Sequence, residues 1–115
     1  MKLGISMGAR SRNSQGRISN LIRLAEADAD ALKEYARKNF SKMYEYYDAS
    51  TQAYIDAVES GQSVTIVPTP FHVNYRALTV YLLPELRDKL QEISKAHGTH
   101  IGREIATAVT FLVRN

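Results

Sequence analysis

Residues 76–113 read RALTVYLLPELRDKLQEISKAHGTHIGREIATAVTFLV. Residues 77–82 alternate. Leu78, Val80 and Leu82 point to one side; Ala77, Thr79 and Tyr81 point to the other, as in a half-buried strand. Pro84 then opens a helix at the position where its missing N–H costs nothing. Glu85 complements the helix dipole in the same turn. Leu86, Leu90 and Ile93 form one apolar stripe. Gly98 supplies the left-handed residue that stops the helix, with Lys95 and His97 in the last turn as carbonyl partners. Thr99 is the expected N-cap of a second helix, whose buried stripe is Ile101, Ile105, Val109 and Leu112/Val113. Gly102, tolerable in a first turn, leaves room for another backbone or an anion.

A strand, helix, turn and helix of this length cannot bury its own apolar face. It needs a second copy. Shifting the sequence by about 58 residues brings core positions into coincidence: Ile22 onto Val80, Leu24 onto Leu82, Leu32 onto Leu90, Tyr35 onto Ile93. Further on, Met43, Tyr47 and Ile55 fall on Ile101, Ile105 and Val113, Tyr54 falls on Leu112, and Ser41 on Thr99. This predicts a strand at Arg17–Leu24, a helix at about 27–38, and another at about 42–59 ended by Gly61. The copy is degenerate. Phe40 stands where the turn glycine should be, so either Asn39 turns left-handed or the turn differs. Asn20 occupies an inward strand position. Asp28 and Asp30, rather than a proline, serve the start of the first helix. Two ordinary amphipathic helices, or one bent helix, over 18–59 remain the alternative, as an extension on a homodimer. Tyr47 and Tyr54 lie on the buried stripe of the second helix. Tyr44 and Tyr46 fall beside it, where exposed rings would stack on unpaired bases or meet another protein.

The segment 76–113 resembles a ribbon-helix-helix domain of the Arc/MetJ/CopG superfamily. The likeness rests on the strand Leu78/Val80/Leu82, the Leu-Pro-Glu helix start, Leu86/Leu90/Ile93, the turn Gly98-Thr99-His100-Ile101, then Glu104-Ile105 and Val109. Pro84 comes one residue later than the usual proline of that family. The resemblance implies a mainly α fold with a two-stranded antiparallel β-ribbon, here as a tandem pseudo-dimer. The implied organisation is a basic arm at 1–16, a first unit at 17–60, a linker at 61–75 and a second unit at 76–115. Fifteen linker residues span ~45 Å or more when extended, so reach is not limiting. Within the linker, Val64–Val67 reads as a short edge strand stopped by Pro68 and Pro70.

By the same resemblance the ribbon's outward side chains would read base edges in a DNA major groove. They are Arg17, Ser19 and Arg23 from the first strand, which also shows Leu21, and Ala77, Thr79 and Tyr81 from the second. Phosphate contacts would come from backbone N–H groups at the start of the second helix, at Thr99, His100 and Ile101, and in the first unit from Ser41 and Lys42. Arg76 would flank the ribbon, and Arg10 and Arg12 would reach from the arm.

The charge distribution suits a polyanionic partner, or a basic arm that serves only as a solubilising tail. Residues 1–24 carry five bases and no acid, residues 25–60 a net −4, and residues 61–115 a net +2. The chain has no cysteine, so disulfides and thiolate metal sites are excluded. His97 and His100 straddle a helix break, and neither they nor His72 have carboxylates at ligand spacing. Gly4–Gly8 is not a phosphate loop, because no GK[ST] follows it. No Ser/His/Asp elbow is present. The expectation is therefore not an enzyme, without cofactor or metal. It is a cytoplasmic, nucleoid-associated DNA-binding protein: a transcriptional repressor, or a plasmid or phage accessory factor of the conjugation type. Antitoxins are a weaker relative, since little follows Val113. The expected partner is double-stranded DNA, with no membrane contact. Self-association is as a single-chain pseudo-dimer or a homodimer, and higher on adjacent sites. A protein-binding adaptor or inhibitor that keeps the fold is the other class.

Overall fold

The computed structural model describes residues 16–71 and 73–114. The arm residues Arg10 and Arg12, and His72, lie outside them. The element order is β1 (Ile18–Ala25), α1 (Glu26–Asn39), α2 (Met43–Glu59), β2 (Tyr75–Leu82), α3 (Pro84–His97) and α4 (Ile101–Arg114). The strand–helix–helix unit thus occurs twice in one chain. β1 and β2 pair antiparallel as a two-stranded sheet, with Ile18 opposite Leu82, Leu21 opposite Thr79 and Ala25 opposite Tyr75. The alternative of plain helices over 18–59 is overturned.

The 58-residue offset is exact for the helices: α1 and α3 start and end at matched positions, and so do the starts of α2 and α4. Each paired couple in the ribbon sums to the same register, and only at Leu21 and Thr79 are the direct partners also equivalents under the offset. A pseudo-two-fold axis therefore passes between Leu21 and Thr79.

An isolated two-stranded ribbon is marginal in water. Its inward face supplies what stabilises it. Ile22, Leu24, Leu78, Val80 and Leu82 are buried, and they join Leu32, Leu90, Tyr54, Ile55, Ile105 and Val109 in one core. Each such aliphatic side chain contributes about 1.5–3 kcal/mol on burial. α2 and α4 pack against each other more extensively than any other helix pair. They are also tied by polar bonds. The Ser50 hydroxyl donates to the Ala108 carbonyl at 2.7 Å and accepts from the Leu112 N–H at 3.2 Å. The Tyr46 hydroxyl donates to the Val109 carbonyl.

Gly98 ends its helix as expected, and several other local expectations are corrected. Gly98 is left-handed at φ 69°, and the Thr99 N–H closes back on the Ser94 carbonyl at 2.9 Å. The first unit turns differently: Phe40 is extended at φ −137°, and its ring packs on Tyr46 with centroids 5.8 Å apart. An aromatic contact thus replaces the glycine. Tyr46 is wholly buried rather than exposed, amid Tyr35, Phe40 and Tyr47. Burial pushes the Tyr46 and Tyr47 hydroxyls up to about 12. Asn20, the polar residue on the inward strand face, is satisfied there. Its amide donates to the carbonyls of Ile18 and Val80, and its oxygen accepts from Arg87 Nε at 2.7 Å. Val64–Val67 forms no strand: the Val67 N–H donates to Thr107 Oγ1 at 2.8 Å, so a helix side chain takes the bond an edge partner would have taken.

Because both strands of the ribbon belong to one chain, folding is expected to be unimolecular. Sedimentation equilibrium should return the 12.9 kDa monomer mass for the free protein. The urea midpoint should not move over a ~100-fold range of protein concentration. A midpoint that rises with concentration would contradict the single-chain ribbon.

Candidate nucleic-acid interface

Strand pairing assembles most of the expected reading residues on one surface. In register order the outward pairs are Ser19 with Tyr81, Leu21 with Thr79, Arg23 with Ala77, and Ala25 with Tyr75. Leu21, Arg23, Ala77 and Thr79 are exposed, and Ser19 and Tyr81 are half-buried. The opposite face of the same strands is core. Arg23 lies under the Tyr75 ring, with its guanidinium carbon 5.6 Å from the centroid, a cation–π contact that steers it along the ribbon.

Arg17 does not join this set. It precedes the first ladder residue, so strand alternation does not govern it. Its guanidinium is buried and grips Asp48 of α2 through two bonds, at 2.7 and 2.6 Å, with the Tyr44 ring 4.5 Å away. It staples the ribbon's entry to α2. A bidentate partner already in place leaves no fork for a base edge.

Two shallow hollows, of about 350 and 310 Å³, lie between β1 and the start of α4. Leu21, His100 and Gly102 border both. Here the helix is capped by His100 rather than Thr99: the Gly102 N–H donates to His100 Nδ1 at 3.0 Å. Gly102 is explained by that contact, because a Cβ there would stand 3.2 Å from the same nitrogen. Thr99 is withdrawn from the expected phosphate role, with its N–H on Ser94 and its hydroxyl on Glu104. His100 is exposed and Ile101 half-buried at this end. Arg103, one turn in, donates to the Pro68 carbonyl at 2.9 Å and to the Arg23 carbonyl at 2.8 Å. It clamps linker and β1 to α4. Burial, with Arg23 nearby, holds its guanidinium below the ordinary arginine range.

The matching start of α2 is built differently. Glu45 occupies the position that Arg103 has in the second unit. Its Oε1 accepts the N–H groups of Ser41 and Lys42 at 3.1 and 3.0 Å. An internal carboxylate thus holds the donors expected to take a phosphate, and the two helix starts are no longer equivalent anion sites. Arg76 is engaged as well, by Glu26 at 3.0 Å and Asp30 at 3.4 Å. Both pairs are exposed and worth at most about 1 kcal/mol each, yet those carboxylates would flank any phosphate Arg76 took.

Sequence reasoning missed the group that holds the α3–α4 turn. Glu104 is fully buried, and its carboxylate receives Tyr54 Oη–H at 2.6 Å, Thr99 Oγ1–H at 2.5 Å and His97 Nδ1–H at 2.7 Å. His97 therefore serves Glu104 rather than its own helix end. Burial, with the bond to Glu104 adding, raises the Tyr54 hydroxyl well above the usual tyrosine range. The cluster joins α2, α3 and α4 behind the His100 cap. A glutamate on an otherwise apolar helix stripe was the only trace of it in the sequence.

No family model, curated protein or solved structure matches this chain. Its architecture is that of two β-α-α units with paired strands, ribbon-helix-helix-like in form. Among the described residues no helix is long and apolar enough to cross a membrane.

Replacing Glu104 by alanine strands three buried or half-buried donors. It should lower unfolding free energy by about 3 kcal/mol or more in urea titration. Glu104→Gln, which keeps one acceptor oxygen, should cost less. Equal stability of the alanine variant and the natural chain would show that the cluster holds nothing.

Proposed function

We propose that this chain is a sequence-selective duplex DNA-binding protein that inserts the β1/β2 ribbon into the major groove as a single-chain pseudo-dimer. One observation carries the reading. A two-stranded antiparallel ribbon presents alternate side chains outward in register, with hydroxyl, methyl and guanidinium groups on one face, while its other face is core. A ribbon of this width fits the groove. Arg23 suits guanine O6/N7, and Thr79 suits several base edges or a thymine methyl. The proposed biological role is that of a transcriptional repressor or of an accessory factor marking a plasmid or phage site.

The electrostatics refine this. Residues 16–114 hold twelve acids and twelve bases, so the whole net charge of +3 comes from residues 1–15. Non-specific affinity, which depends on phosphate neutralisation, should therefore rest strongly on Lys2, Arg10 and Arg12. The protein-binding alternative has its own support: Leu21, Phe71, Val73 and Tyr75 are 69, 76, 56 and 54% exposed. A mobility-shift titration against random and selected duplexes at two salt concentrations separates the two. Selective binding that weakens steeply with salt supports DNA reading; binding no tighter than to random duplex sinks it.

Arg23→Ala should weaken selective binding by about 1–3 kcal/mol, roughly 5- to 150-fold, without altering the unfolding midpoint. Arg17→Ala should do the reverse, costing about 2 kcal/mol or more of stability by leaving Asp48 unpaired. Paired binding and urea titrations of the two variants check this. Matched losses of affinity in two variants of unchanged stability would return Arg17 to the reading face.

A further inference from the structure

We propose that the centre of the ribbon reads the C5-methyl group of pyrimidines, so that the methylation state of the central bases sets affinity. This rests on the ribbon being a major-groove reader, as proposed above. The pseudo-two-fold axis passes between Leu21 and Thr79, because these two are at once direct partners and equivalents under the 58-residue offset. Whatever stands at that point meets the centre of a bound site. Here it is a leucine, 69% exposed and with no hydrogen-bonding group, opposite an exposed threonine that carries a methyl. Ala77, the diagonal neighbour of Leu21, adds a third methyl-bearing side chain on the same face. A lone exposed leucine needs no explanation on a protein surface. A contiguous apolar strip at the symmetry point of a reading face, between the hydroxyls of Ser19 and Tyr81 and the guanidinium of Arg23, is another matter.

The floor of the major groove offers such a strip only one apolar partner, the C5-methyl of thymine or of 5-methylcytosine. Against N7, O6, O4 or an exocyclic amine, Leu21 would desolvate polar atoms without replacing their hydrogen bonds. Against a methyl it removes apolar surface from water. The flanks are not equivalent, since Arg23 corresponds to Tyr81 and Ser19 to Ala77 under the offset. A site with methyl-bearing pyrimidines at its centre and a guanine on the Arg23 side alone follows. The central pair is common to both halves and is the part that modification of the base can switch.

The test starts from duplexes selected by the full chain from a random pool, with affinities measured by fluorescence anisotropy. Central thymines are replaced by uracil, which removes the methyl and nothing else. In a second series a central T·A pair becomes C·G or 5-methylcytosine·G. Each methyl lost should weaken binding about fourfold, and 5-methylcytosine should bind more tightly than cytosine by a similar factor. Leu21→Ala, at a position that packs on nothing in the core, should fold normally by circular dichroism. Its preference for thymine over uracil duplexes should fall well below that of the natural chain. Selective binding that ignores the thymine-to-uracil change overturns the methyl proposal and leaves the ribbon reading standing. Methyl discrimination that survives intact in Leu21→Ala overturns the assignment to Leu21. A pool that enriches no sequence overturns the ribbon reading itself, and this proposal with it.

Discussion

The pairing of β1 with β2 inside one chain is the constraint on which the rest depends. Neither strand–helix–helix unit can bury its apolar stripe alone. The pairing puts Ile22 and Leu24 beside Leu78, Val80 and Leu82 and lays α2 against α4. It also decides which residues are left outside. A slip by one residue would turn over the strand that slips, sending Leu24 into water and Arg23 inward for β1, or Leu82 into water and Thr79 inward for β2, so the register is held by the core rather than by the ribbon's own bonds.

Once one chain holds both halves, the two halves are free to diverge, and they have. The second unit ends its first helix on Gly98; the first ends on Phe40 packed against Tyr46. The second carries a buried glutamate behind a helix start capped by His100; the first carries Tyr46 at the matching position and closes its helix start with Glu45. On the outward face Arg23 and Tyr81 are counterparts, as are Ser19 and Ala77. A homodimer would show identical groups at each of these pairs. The divergence makes the proposed target asymmetric.

Much of the fold was legible, for reasons tied to local chemistry. Proline, glycine and strict alternation mark element ends and faces wherever backbone preference decides, as at Pro84, Gly98 and Leu78–Leu82. The repeat was legible because core positions recur at one offset even when the residue types change. What escaped were polar groups whose partners lie far along the chain. Nothing near Arg17 announces Asp48, thirty-one residues on. Nothing near Glu104 announces Tyr54, fifty residues back. Thr99 looked like a cap because threonine caps well, but a buried carboxylate five residues later drew its hydroxyl inward, and His100 took the role. Of the expected base-reading residues, the ribbon assembles Ser19, Arg23, Ala77, Thr79 and Tyr81; only Arg17, outside the ladder, turns away.

Chemical protection of a selected duplex addresses the central claim most directly, because dimethyl sulfate reports guanine N7 in the major groove and adenine N3 in the minor groove. With the full chain bound, guanine N7 should be shielded on one side of the site's centre, where Arg23 would lie, with adenine N3 left reactive. Shielding of adenine N3, or guanine N7 shielding mirrored about the centre, would contradict an asymmetric ribbon in the major groove.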